Sequence, residues 1–192
     1  LAPEPPAALV APSEDAFIND NTPLLRWTAS PSPISDLHVF QYIVRLTSGD
    51  IDDGPFDIEA AMAGDVTRFQ VPPEQALATG DPAIAYRWMV IALDRAGNSA
   101  TTGDSSFTLD TIGPAPSAEL IFPATGDFIN DDTPLLKWSA SPSLVGDLDV
   151  FQYRVVVTSG DIRFPPFDID TSVAPGLTAF LVATALNDAF YT

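Results

Sequence analysis

The sequence predicts an all-β protein of two β-sandwiches in tandem, the second incomplete at its C-terminus. Three observations predict it. The chain repeats itself: residues 1–70 lie over residues 112–181 at a constant offset of 111, without a gap, and 37 of those 70 positions are identical. That period is longer than the roughly 20–50 residues of a solenoid unit and matches a small self-sufficient domain. Apolar residues alternate with period two, and no stretch has a capped helical period. Nineteen prolines and eleven glycines punctuate the short apolar runs. The expected domains are 1–111 and 112–192.

Each strand follows from this alternation, sharpened by comparing the two copies. A first short apolar run covers 7–11. In 23–29, Leu25, Trp27 and Ala29 share the inward parity, while Arg26 and Thr28 change to Lys137 and Ser139 in the second copy. In 37–47, Phe40, Tyr42 and Val44 are kept and Leu46 becomes Val157, so this parity is read as core-facing. The other parity changes character: Ile43 becomes Arg154, and Arg45 becomes Val156. A short strand at 55–59 follows. In 66–71, Phe69 and Val71 point inward, whereas Arg68 and Gln70 become Ala179 and Leu181. In 84–93, Tyr86, Trp88, Val90 and Ala92 form one inward row, and in 104–110 Phe107 and Leu109 form another. Seven strands in about 100 residues describe a sandwich.

The second copy reaches Ala189-Phe190-Tyr191-Thr192, the counterpart of the Ala85-Tyr86 strand start, and stops. About two strands are then missing. The chain also starts at Leu1 without Met, in register with the repeat. The expectation is a piece of a longer array, or a domain whose missing strands a neighbouring chain supplies. The linker Asp110-Thr111-Ile112-Gly113-Pro114-Ala115-Pro116 carries a Pro-x-Pro that favours an extended, stiff backbone.

The net charge is −18, with one lysine and seven arginines against 26 acidic residues. Phosphate binding needs clustered cations, so no nucleic-acid partner is expected, nor an anionic membrane surface. The acidity fits cation binding or a salty, calcium-rich exterior, and equally solubility alone. With no cysteine, disulfides, thiol catalysis and thiolate metal sites are excluded. There is no signal peptide and no apolar run long enough to cross a bilayer, so no membrane insertion is expected.

Four segments together resemble the bacterial Ig-like repeats of large surface proteins, which are close to fibronectin type III domains. They are Thr22-Pro23-Leu24-Leu25-Arg26-Trp27-Thr28-Ala29-Ser30, Phe40-Gln41-Tyr42-Ile43-Val44, Tyr86 to Ser99 with its Asp94-Arg95-Ala96-Gly97-Asn98 turn, and Phe107 to Pro114. The resemblance implies tandem seven-stranded Greek-key sandwiches, each with a tryptophan on its second strand. It also implies an extracellular setting, as in adhesins, layer proteins, filament sheaths and secreted hydrolases, and no activity of its own. Family arrays usually continue, whereas this one stops inside a domain.

Catalysis has little raw material. The single histidine, His38, is Asp149 in the second copy, and nucleophilic triads of the usual kind lack both Cys and a retained His. Calcium is the one candidate cofactor, because hard cations take carboxylate and amide oxygens. The candidate ligands are Asp20, Asp110, Asp94, Asn98 and Asp131, with Asp20 and Asp110 expected near the domain junction. The competing reading makes Asn19 and Asp20 an Asx-turn before Thr22-Pro23, and makes Asp94 to Asn98 a tight turn that uses Gly97 and Asn98 for positive φ. Trp27, Trp88 and Trp138 fall on inward parity and belong to the core, not to a sugar platform. Ile43, Met89, Ile91, Val156, Leu181 and Phe164 are expected outside, either as an apolar surface for another chain or as ordinary scattered surface apolar residues.

The function expected is therefore a non-catalytic structural or adhesive segment of an extracellular surface protein or filament. Rigid spacing and lateral contacts would be its mechanism, and copies of itself or neighbouring surface-protein domains its partners. The alternatives are a spacer or accessory module of a secreted polysaccharide-degrading enzyme, and a strand-complemented pilus-type subunit.

Overall fold

The computed structural model describes residues 2–31, 39–80, 82–117, 119–142 and 150–187. His38, Asp149 and the Ala189–Thr192 end lie outside them. The chain divides into two compact units, Leu1–Ile112 and Gly113–Thr192.

Unit 1 holds β1 (Leu9–Ala11), β2 (Ala16–Ile18), β3 (Leu24–Trp27), β4 (Gln41–Thr47), β5 (Ile58–Ala63), β6 (Arg68–Gln70), β7 (Ile84–Leu93), β8 (Ser99–Thr101) and β9 (Ser105–Leu109), with one 3-10 turn at Pro73–Gln75. One sheet is antiparallel, in the order β1-β3-β6. The other runs β2-β9-β7-β4-β5, with β8 also on β7. Its pairs are antiparallel except β2 with β9, which is parallel.

Period-two alternation decides which side chains meet in the core. Leu25 and Trp27 come from the smaller sheet, and Tyr42, Val44, Leu46, Tyr86, Trp88, Val90, Phe107 and Leu109 from the larger, each at most 3% exposed. Trp27 meets Tyr42 edge-on with centroids 5.6 Å apart, and Tyr86 stacks on Phe107 at 5.7 Å. The buried phenols keep their hydrogen bonds. Tyr42 Oη accepts from the Ser30 N–H at 2.8 Å, and the Tyr86 hydroxyl donates to the Ala78 carbonyl at 2.9 Å.

Unit 2 repeats part of this. It holds β10 (Leu120–Phe122), β11 (Leu135–Trp138), β12 (Tyr153–Val157), β13 (Ile169–Val173) and β14 (Ala179–Leu181). They form a β10-β11-β14 sheet and a β12-β13 pair. Trp138 meets Tyr153 at 5.6 Å, and Tyr153 Oη accepts from the Ser141 N–H at 2.9 Å, copying Trp27, Tyr42 and Ser30. The copy continues past residue 181. Leu77 N–H donates to the Asn21 carbonyl at 2.8 Å, and Leu186 N–H to the Asp132 carbonyl at 2.8 Å. The second of these loops is two residues shorter. Among the described residues of unit 2, no strand occupies the place that β7 takes beside β4. The core positions are correspondingly opened: Leu136, Tyr153, Val155 and Ile169 are half-buried, whereas Leu25, Tyr42, Val44 and Ile58 are buried.

All seven strands expected in the first copy are present, and all three tryptophans are buried. Five details differ from the sequence reading. Two short strands, β2 and β8, were not legible as period-two runs, being three residues each. The strand expected at 55–59 begins at Ile58, after the Gly54–Pro55 corner. Phe40 is 54% exposed and Phe151 87%, although both sit on the inward parity. Alternation breaks there: Gly64 N–H donates to the Phe40 carbonyl at 3.1 Å, and β4 begins only at Gln41. Ala29 is exposed because β3 ends at Trp27, and Met89, expected outside, is buried on the outer face of the larger sheet.

Candidate functional site

The expected metal ligands are placed as follows. Asp20 Oδ1 accepts both the N–H and the hydroxyl of Thr22 at 2.8 Å, an Asx-turn that leads into β3. Asp131 does the same with Thr133, at 2.9 and 3.2 Å. Asp110 donates its N–H to the Ile18 carbonyl at 2.9 Å, and its Oδ1 accepts from Ile112 N–H at 3.0 Å. That bond sets Asp110 beside the segment that runs on to Asp20, so these two share one end of unit 1. Asp94 lies at the other end, because β7 begins opposite Leu109 and finishes at Leu93.

The Asp94 turn is closed by its own carboxylate. Oδ1 accepts the N–H groups of Ala96 and Asn98 at 2.8 and 2.9 Å, and Oδ2 accepts Asn98 Nδ2 at 2.7 Å. Gly97 supplies the positive φ of 84°. The Asn98 side-chain bond, with help from the backbone donors and against desolvation, holds the Asp94 carboxyl below the usual range. Among the described residues, no group of three or more His, Cys, Asp or Glu side chains is arranged to hold a metal ion.

A second constellation escaped the sequence reading. Five of the eight cations have partners in the structure. Arg45 pairs with Glu59 at 2.7 Å, Arg87 with Asp104 at 3.1 Å, Arg154 with Asp170 at 2.7 Å and Arg163 with Asp161 at 3.0 Å. Arg95 lies over the Phe40 ring at 5.5 Å. The other three, Arg26, Arg68 and Lys137, make no ion pair among the described residues, and all three are exposed. Arg26 stands directly opposite Arg68 in the β3–β6 register. Lys137 holds the Arg26 position in unit 2, paired with Ala179 and Phe122. The alternation alone showed Arg26 and Arg68 to be outward; only the register makes them neighbours.

No protein-family model matches the chain, and no curated protein sequence matches it. Among solved structures, it is similar to the crystal structure of the chicken CNTN1 FN1-FN3 domains, with a TM-score of 0.59 and 11% identity. The match covers 99% of this chain and 57% of that one. The fold is a fibronectin-III/Ig-like β-sandwich. At this identity the likeness shows fold alone; the chain spans little more than half the length of the matched structure. No helix among the described residues is long and apolar enough to cross a membrane.

Proposed function

We propose that the chain is a non-catalytic structural or adhesive segment of an extracellular surface protein or filament, in which repeated sandwiches act as spacers and their faces make lateral contacts. One observation carries the reading: the duplication keeps the scaffold of a sandwich, not a cleft. Trp27 and Trp138, Tyr42 and Tyr153, and the Ser30 and Ser141 N–H bonds recur at one offset. The fold is also one that typically carries no catalysis and is often found outside the cell. Calcium at Asp20, Asp110, Asp94, Asn98 and Asp131 belongs to the proposal as an added stiffening device.

The test is antibody labelling of intact source cells, joined with electron microscopy of the native material. Surface label on filaments or regular layers is the expected result. Label that appears only after permeabilisation would overturn it; a soluble monomer carrying a polysaccharide-degrading domain would favour the spacer reading instead.

A specific observation favours a second reading, the strand-complemented subunit. Strand β12 has β13 on one side and no strand on the other among the described residues, whereas β4 lies between β5 and β7. An exposed sheet edge is a template for an added strand. A peptide spanning residues 83–93, the unit 1 strand, should then protect the Tyr153–Val157 amides from hydrogen exchange. Unchanged exchange at saturating peptide refutes this reading.

A further inference from the structure

We infer that the outer face of the three-stranded sheet in each unit is a docking surface for the acidic surface of a second copy of this chain. The inference rests on the lateral contacts proposed above and names the face that makes them. The chain carries 26 acidic and eight basic residues. Amid this excess of carboxylates, four of the eight cations pair with one and a fifth, Arg95, lies over the Phe40 ring. The remaining three, Arg26, Arg68 and Lys137, make neither contact among the described residues, and each lies on this face of its own unit's sheet.

Placing Arg26 opposite Arg68 has a cost. Directly opposed residues on antiparallel strands are about 4.5–5.5 Å apart, and like charges there repel. Two forked guanidinium groups side by side are also suited to a pair of carboxylates, each taken bidentately. The pair lines a groove with Val10, Leu24 and Val66, and Asp65 stands in the same groove without bonding either arginine. The apolar rim is exposed: Val10 by 45% and Leu24 by 39%. In unit 2 the same face carries Lys137 among Phe122, Leu135 and Leu181, exposed by 40, 39 and 60%. A face combining exposed apolar side chains with unpaired charge matches the make-up of association surfaces.

The occupant follows from charge complementarity. Asp52 and Asp53, adjacent and exposed in the turn after β4, present two carboxylates with no partner among the described residues. The turn is held open by Asp52 N–H on Asp50 Oδ1 at 2.9 Å. Copies of net charge −18 repel at long range, and meeting one another basic-face to acidic-turn is the orientation that offsets this repulsion locally.

Sedimentation velocity on the whole 192-residue chain tests it, at 20 and 300 mM NaCl. The expected result is concentration-dependent association at low salt, weakened on the order of tenfold at high salt. It should be lost in Arg26→Glu/Arg68→Glu and in Asp52→Arg/Asp53→Arg, and restored when the two variants are mixed. Lys137→Glu alone should weaken it less. All of these positions are exposed; circular dichroism verifies folding, and the salt series on the unaltered chain tests the proposal if a variant does not fold. Association that persists unchanged in both double variants overturns this face while leaving lateral contacts standing. A monomer under every condition overturns both. Arginine-dependent retention on a sulfated polysaccharide without self-association overturns the second copy as occupant.

Discussion

The two copies permit a stability experiment in which the chain is its own control. Leu25 and Leu136 are repeat equivalents on β3 and β11, and the first is fully buried while the second is half-buried. Leu→Ala removes three carbon groups, worth about 0.8 kcal/mol each in transfer, or roughly 2.4 kcal/mol. The cavity left in close-packed surroundings raises this to about 3 kcal/mol for Leu25. At Leu136 the side chain already meets solvent, so less transfer energy is lost and no closed cavity forms; the expected cost is about 1–1.5 kcal/mol. Urea unfolding reports the difference. With a slope of about 2 kcal/mol per molar, Leu25→Ala lowers the midpoint of unit 1 by about 1.5 M, and Leu136→Ala lowers that of unit 2 by about 0.6 M. Tryptophan fluorescence separates the units, since Trp27 and Trp88 lie in unit 1 and Trp138 in unit 2. Equal losses at the two sites would refute the reasoning that β7 and its neighbours are what close the core.

Three further outcomes follow from local geometry. Gly64→Ala should cost about 1–3 kcal/mol, because its Cβ would overlap the rigid Val39 carbonyl, whereas Gly103→Ala, with open space around it, should stay within about 0.5 kcal/mol by thermal melting. The Asp94 carboxyl is held below its ordinary value in the folded state, so its contribution is complete above the normal carboxylate range and is lost as pH falls through the folded value. The gap in melting temperature between the natural chain and Asp94→Ala should therefore be widest near neutral pH and close toward pH 3; a constant gap refutes the assignment. Calcium is tested by melting with and without chelator. Sites at Asp20, Asp110 and Asp131 predict a fall on chelation, and an unchanged midpoint leaves those carboxylates to their Thr22, Ile112 and Thr133 donors.

What could be read from the sequence was whatever period two and duplication record. The rows through Tyr42–Leu46, Tyr86–Ala92 and Phe107–Leu109 are buried as the alternation requires. Alternation carries no information about where a ladder breaks, and Phe40 shows this: both copies keep it and both expose it; in the first the backbone of Gly64 approaches closely, and in the second, where Pro175 takes that position, β12 begins only at Tyr153. Short strands are equally silent. Strand β2 depends on its parallel pairing with β9, some 90 residues away. Met89 fails for a further reason, since parity separates the two faces of a sheet without saying that either one is bare. Pairings across strands, such as Arg26 with Arg68, require a register that one strand's pattern cannot supply.

The register also changes what the drift between copies means. Ile43 becoming Arg154 and Arg45 becoming Val156 looked like two unrelated changes on a solvent face. In space they move one cation by two residues while keeping its surroundings. Arg45 bonds Glu59 at 2.7 Å and lies over Phe56 at 4.5 Å; Arg154 bonds Asp170 at 2.7 Å and lies over Phe167 at 5.7 Å. Glu59 and Asp170, and Phe56 and Phe167, are repeat equivalents. The carboxylate and the ring thus recruit an arginine from whichever outward position on β4 or β12 offers one. Exposed ion pairs contribute little to stability, but an unpaired carboxylate beside a ring on an already acidic sheet would add to the repulsion the chain carries. The smaller sheet behaves in the opposite way. One of its cations stays in place, as Arg26 or Lys137, while Arg68 gives way to Ala179, and neither copy bonds a carboxylate to the retained one among the described residues. Where internal charge balance governs the surface, the cation has moved to keep its partner; where it has stayed unpaired, the balancing charge is expected from outside the unit.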